Sequence, residues 1–145
     1  MDTPYEKLLA KLARADIKFI IVGGVAVALN GFVRTTEDVD ILIDPSIDNV
    51  AQLLGELRGF GEGHARELSP TDFNESEGSI RIIEDFPLDV FTVMRGKHYA
   101  DCSAQQKRRA SMMLRCAIST PMHSLRSRSI HSVIRTALMY PLCNR

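Results

Sequence analysis

Asp38 and Asp40 stand two residues apart in Glu37-Asp38-Val39-Asp40-Ile41-Leu42-Ile43, a stretch that is otherwise apolar from Val39 onward. Side chains alternate between the two faces of a strand, so the two carboxylates share one face and Val39, Ile41 and Ile43 share the other. Two like charges held side by side call for a cation. Hard oxygen ligands on a rigid strand suit Mg²⁺, which takes one or two carboxylates and completes its coordination with water and substrate phosphates. The chemistry this implies is phosphoryl or nucleotidyl transfer. A third acid, Asp89, lies within the apolar run Leu88-Asp89-Val90-Phe91, where an ionised carboxylate is costly unless it is paired or metal-bound. If that strand runs beside 38–43, three carboxylates converge and can hold two metal ions. One would activate an attacking hydroxyl, and the other would neutralise charge on a departing pyrophosphate.

Gly23-Gly24 follows the apolar run Phe19-Ile20-Ile21-Val22 and precedes a helical pattern. Without side chains the backbone can approach a ligand there, and its N–H groups can meet phosphate oxygens. Arg34 either contacts a triphosphate or orients Asp38, and Thr36 either caps the turn into the strand or hydrogen-bonds a nucleotide. Each residue has a plainer competing role. A Gly-Gly pair alone is usually a turn, Asp38 and Asp40 can pair with Arg34, and Pro87 can place Asp89 at an exposed strand start.

The elements that must position these groups are legible from pattern. Thr3-Pro4-Tyr5-Glu6 has the spacing of a capping box with proline at the first helical position, so a helix is expected through about residue 15, with Tyr5, Leu8, Leu9 and Leu12 on one face. Strands are expected over 18–22 and 38–43, with a short helix over 25–30 stopped at Gly31. Asp44-Pro45 opens a further helix with Ile47, Val50, Leu53, Leu54 and Leu57 on its apolar face, closed by Gly59. Residues 59–78 read as loop with at most one weak strand, and 79–83 and 88–93 as two strands joined by a hairpin-length turn. This order predicts an α/β (α+β) domain, a small mixed sheet backed by helices. Beyond residue 100 the pattern weakens to a strand over 113–118 and a helix carrying Ile130, Val133, Ile134, Ala137 and Leu138.

Gly23-Gly24, Asp38-Val39-Asp40 and Asp89, taken in that order, resemble the nucleotidyltransferase superfamily that includes DNA polymerase beta. Together with Gly31 and Arg34-Thr35-Thr36 they look most like its small bacterial members of the abortive-infection, toxin–antitoxin kind. The resemblance covers residues 1–100 and implies a minimal nucleotidyltransferase fold. It also implies Mg²⁺ at a two-metal site and a nucleoside triphosphate substrate. Asp38, Asp40 and Asp89 would be metal ligands and catalytic residues, with Asp89 also the base toward the acceptor hydroxyl. Gly23, Gly24, Arg34 and Thr36 would bind the nucleotide. The acceptor would be RNA, such as transfer RNA, or a protein or small molecule, and a cognate toxin or antitoxin is an expected partner.

The whole 145-residue chain has 18 acidic and 18 Lys or Arg residues, but the balance is not local. Residues 1–101 hold every acid and carry a net charge of −8, whereas residues 102–145 carry +8. All nine glycines lie at or before Gly96. At average composition about five acids belong in the last segment. The 101–145 extension is therefore atypical for the family. It reads either as a basic RNA contact through Lys107-Arg108-Arg109, Arg115, Arg126, Arg128 and Arg135, or as a terminus truncated or shifted in reading frame. Two non-catalytic alternatives follow: an antitoxin-like binding domain that keeps the fold, and a basic-tailed RNA-binding module. No apolar run reaches the roughly 20 residues that cross a bilayer, and the first residues lack a secretory pattern, so a cytoplasmic protein without membrane attachment is expected. Cys102, Cys116 and Cys143 are odd in number and widely spaced, and read as reduced thiols.

Overall fold

The computed structural model describes residues 3–24 and 37–105. The expected helix over 25–30, Arg34, Thr36 and every element expected beyond residue 105 lie outside the described residues. Helix α1 is Pro4–Arg14 and starts on the capping box the sequence spells. The Thr3 hydroxyl accepts from the Glu6 N–H at 3.4 Å, and the Glu6 carboxylate accepts from the Thr3 N–H at 2.7 Å. Two of the helix's orphan donors are thus satisfied from within. Asp16 takes a left-handed conformation at φ 56°, and the Ile17 N–H donates back to the Leu12 carbonyl, turning the chain into β1 (Phe19–Val22).

Strand β2 is Val39–Ile43 and pairs antiparallel with β1. Asp38 lies just before the first paired residue. Helix α2, Ile47–Arg58, follows directly and is tied back by a buried side chain the sequence does not advertise. The Asn49 amide donates to the carbonyls of Lys18 (3.1 Å) and Asp44 (2.8 Å), and its oxygen accepts from the Lys18 N–H at 2.8 Å. One side chain therefore satisfies three backbone groups where α2 meets the start of β1 and the end of β2.

The segment expected to be loop holds two short 3₁₀ turns, His64–Glu67 and Pro70–Asp72, and a single bridge between Glu77 and Val93. Strands β3 (Ser79–Ile83) and β4 (Pro87–Phe91) form the expected hairpin, with Ile83 opposite Pro87. The run expected as one strand over 88–93 is divided. It ends at Phe91, and Val93–Met94 (β5) pairs instead with Lys97–His98 (β6) in a separate two-stranded sheet. Arg95 and Gly96, both at positive φ, make the turn between them. Residues 99–105 are helical, so the expected division near residue 100 falls at the start of a helical stretch.

The main sheet has the order β1-β2-β4-β3 and is mixed, with β2 and β4 parallel and the outer pairs antiparallel. The fold is α+β. One sheet face carries Phe19, Ile21, Val39, Ile41, Leu88 and Val90 into a core closed by α1 and α2. The opposite face carries Ile20, Val22 and Leu42, packed with Cys102 and flanked by Phe91, Met94 and Tyr99. Among the described residues no helix is long and apolar enough to cross a membrane.

Candidate functional site

A row of paired positions crosses the main sheet: Val22 on β1, Asp40 on β2, Asp89 on β4 and Arg81 on β3. Directly paired residues project to the same face, and this is the face opposite α1 and α2. Asp40 and Asp89 are neighbours across the parallel pair, and Asp38 precedes Asp40 by two residues. The structure thus brings the three sequence-selected acids to one end of one sheet face. Asp89 sits at the centre of β4 and is 6% exposed, which removes the alternative that Pro87 leaves it at a solvated strand start.

Gly23 closes the site from the β1 side. It directly follows β1 at φ 67°, and a Cβ on it would lie 2.1 Å from Asp40 Oδ2 and 3.0 Å from Asp40 Cγ. Such a position requires glycine twice over, for its dihedral and for the approach of a carboxylate to its backbone. Gly23-Gly24 directly follows β1, and the helix that the sequence pattern anticipates after it lies outside the described residues.

Arg81 is the residue that sequence reasoning missed. Its Nε donates to Asp89 Oδ1 at 3.0 Å, and its Nη2 donates to Asp89 Oδ2 at 2.7 Å and to Asp38 Oδ2 at 3.2 Å. The Ser79 hydroxyl adds a donor to Asp89 at 3.3 Å. A signal was present: Arg81 and Asp89 are each four residues from Asp85, so a symmetrical hairpin must place them opposite one another. The fork of donors holds the guanidinium charged, first through its hydrogen bond to Asp89 and then through the charges of Asp89 and Asp38.

Asp40 shares this face with Asp38, Asp89 and the Arg81 guanidinium. Burial, then the charges of Asp89 and Asp38, hold its carboxyl above the ordinary carboxylate range, while Arg81 pulls the other way. Among the described residues Asp40 takes part in no ion pair. The donor set is all oxygen and lies on one rigid sheet face, the chemistry that Mg²⁺ selects. As the side chains stand, no three His, Cys, Asp or Glu groups among the described residues are gathered closely enough to hold an ion. Arg81 instead bridges Asp38 and Asp89.

No protein-family model, curated protein or solved structure matches the chain. The site must therefore be read from its own geometry. An open cleft of about 380 Å³ adjoins it on the far side of β3, lined by His64, Glu67, Leu68, Arg81, Ile82 and Ile83. His64 donates from Nδ1 to the Ile83 carbonyl at 2.6 Å, covering part of the free β3 edge. That bond first, and then the nearby charges of Glu84, Glu62 and Glu67, raise the imidazole pKa above its ordinary value against the opposing effect of desolvation.

Proposed function

We propose that the chain is a metal-dependent nucleotidyltransferase that moves a nucleoside monophosphate from a nucleoside triphosphate to an acceptor hydroxyl. The observation that supports this reading above all is the juxtaposition of Asp40 and Asp89 at paired positions of parallel strands, with Asp38 on the same face and Gly23 against Asp40. Three acids converging on one face are expensive to fold around, and they are accounted for by a ligand that neutralises them. Asp38, Asp40 and Asp89 would hold Mg²⁺, which supplies charge neutralisation at the triphosphate and a lowered pKa for the attacking hydroxyl. In this reading Asp89 would also take the hydroxyl proton. The new bond joins the acceptor oxygen to the α-phosphorus, the bond from that phosphorus to the bridging oxygen breaks, and pyrophosphate leaves with the electron pair. Gly23 and Gly24 offer backbone to the phosphates at the strand-to-helix turn.

A cellular RNA, a protein or a small molecule would provide the hydroxyl, and a role within a toxin–antitoxin pair fits a small nucleotidyltransferase of this type. One observation favours a second, non-catalytic reading: Arg81 already neutralises part of the acid row. A domain that keeps the fold for binding alone would look like this. The test is Mg²⁺-dependent incorporation of α-labelled nucleoside triphosphates into total cell RNA and protein by the full chain, against Asp38→Ala and Asp40→Ala. Labelling by the wild type that both variants lose supports transfer. Equal labelling by all three chains, or by none, supports the binding reading.

A further inference from the structure

We infer that the free edge of β3 is a docking site for a basic, extended segment of a partner protein, which adds to the four-stranded main sheet as a further strand. Docking there does not depend on the reaction proposed for the acid row. β3 is the outer strand in the order β1-β2-β4-β3, and the hairpin fixes which of its backbone groups face outward. The Glu84 N–H donates to the Phe86 carbonyl at 3.2 Å, and Pro87, opposite Ile83, has no N–H to give. The hydrogen-bonded pairs of the ladder are therefore Ile82 with Leu88 and Ile80 with Val90. Ser79, Arg81 and Ile83 turn their backbone groups away from β4. The hydrogen bond from His64 to the Ile83 carbonyl agrees, since it reaches that oxygen from outside the sheet. Among the described residues nothing covers the N–H and carbonyl of Ser79 and Arg81 or the N–H of Ile83. Unpaired groups in such a row are a template for another strand.

Charge selects the occupant. Strand addition takes its affinity from main-chain hydrogen bonds and its selectivity from pockets beside them. The open cleft of about 380 Å³ reaches Arg81, Ile82 and Ile83 at one end of β3, and a smaller cavity of about 130 Å³ reaches Ser79 and Ile80 at the other. Exposed acids line both, Glu67 in the first and Asp72 and Glu77 in the second. Residues 59–85 hold seven acids against Arg66 and Arg81, and the Arg81 guanidinium is already turned to Asp38 and Asp89. A lysine or arginine on the added strand therefore meets opposite charge at either end. Ile83, 57% exposed, offers that strand an apolar neighbour. A second copy of the chain fits less well. Antiparallel pairing of two β3 edges centred on Arg81 would set arginine opposite arginine and one acidic rim against the other.

Amide hydrogen exchange of the full chain, read by nuclear magnetic resonance with the synthetic peptide Lys-Val-Lys-Val-Lys-Val-Lys as probe, tests this. A shift of one residue lets the peptide set its lysines on either face of the sheet. Docking should slow exchange at the Ser79, Arg81 and Ile83 amides and leave Ile80 and Ile82, already bonded to β4, unchanged. The same peptide with proline for its central valine keeps the charge but loses a main-chain donor, and should bind about tenfold more weakly. Glu67→Gln combined with Glu77→Gln should weaken binding of the lysine peptide about two- to fivefold. Equal binding of the two peptides means attraction by charge alone and overturns the docking site. So does exchange slowed at other amides, or no binding of the lysine peptide at all. Protection of Ser79, Arg81 and Ile83 before any peptide is added overturns it as well. If that protection fades on dilution the occupant is a second copy, and if it persists the chain covers its own edge.

Discussion

Gly23→Ala is the most economical probe of the geometry around Asp40. Two separate penalties follow from the structure. An alanine held at φ 67° costs about 1–2 kcal/mol for its left-handed backbone. Its Cβ would also lie 2.1 Å from Asp40 Oδ2, far inside the roughly 3.5–4 Å of ordinary contact between heavy atoms. Forcing Asp40 aside costs about 1–3 kcal/mol more, in the manner of overpacking. The single variant should therefore lose about 2–5 kcal/mol. In an Asp40→Ala background the nearest Asp40 atom remaining would be the Cβ, 3.3 Å away, so only the backbone penalty and a tight contact should persist. Equilibrium urea unfolding of wild type, Gly23→Ala, Asp40→Ala and the double variant gives the coupling directly. A value of about 1–3 kcal/mol is expected, with the double variant less impaired than the sum of the singles. Additivity within about 0.5 kcal/mol would refute the claim that Gly23 is glycine because of Asp40.

Other substitutions test the supporting structure. Asn49→Ala removes the partner of three backbone groups and should cost about 2–3 kcal/mol in the same unfolding experiment, although none of its hydrogen bonds reaches Asp38, Asp40 or Asp89. Asp40→Asn should raise the melting temperature at neutral pH, since it removes a partly buried charge that its acidic neighbours oppose, and should abolish labelling. Asp44 gives a pH test. Burial raises its pKa, but the Ser46 N–H and hydroxyl and the Lys18 ammonium outweigh that and bring it below the ordinary value of 3.8. Its contribution is therefore present above that value and lost as pH falls through the lowered one. Asp44→Asn should accordingly be less stable than wild type near neutral pH, by about 1 kcal/mol or less given its solvent screening, and the gap should close below pH 3.8 in thermal melts.

Local chemistry in the sequence specified the local parts of this fold. The capping box at Thr3 and Glu6, the left-to-right alternation through Val39–Ile43, and the turn between Ile83 and Pro87 each depend on residues a few positions apart, and each forms as read. What depended on distant pairing was legible only as a condition. Nothing in the chain between Ile43 and Pro87 states that β4 inserts beside β2 in parallel, yet that insertion sets Asp89 next to Asp40. Arg81 and Asn49 were passed over for the opposite reason. Both are polar residues within ordinary amphipathic segments, and only the packed structure reveals that one bridges two acids while the other fastens α2 to the strands. The division of 88–93 was missed because Thr92 is β-branched and strand-like, whereas its hydroxyl turns to the Asn74 carbonyl at the break.

Metal-dependent nucleotidyl transfer, the activity proposed for the face bearing Asp38, Asp40 and Asp89, must release pyrophosphate. The most direct measurement is release of labelled pyrophosphate from γ-labelled nucleoside triphosphates, in the presence of cell RNA and protein, with Mg²⁺ and with chelator, by wild type and Asp89→Asn. Transfer would release labelled pyrophosphate only from the wild type with Mg²⁺, in step with acceptor labelled in a parallel reaction with α-labelled triphosphate. Equal release by Asp89→Asn, or none by the wild type with every nucleotide supplied, would contradict it.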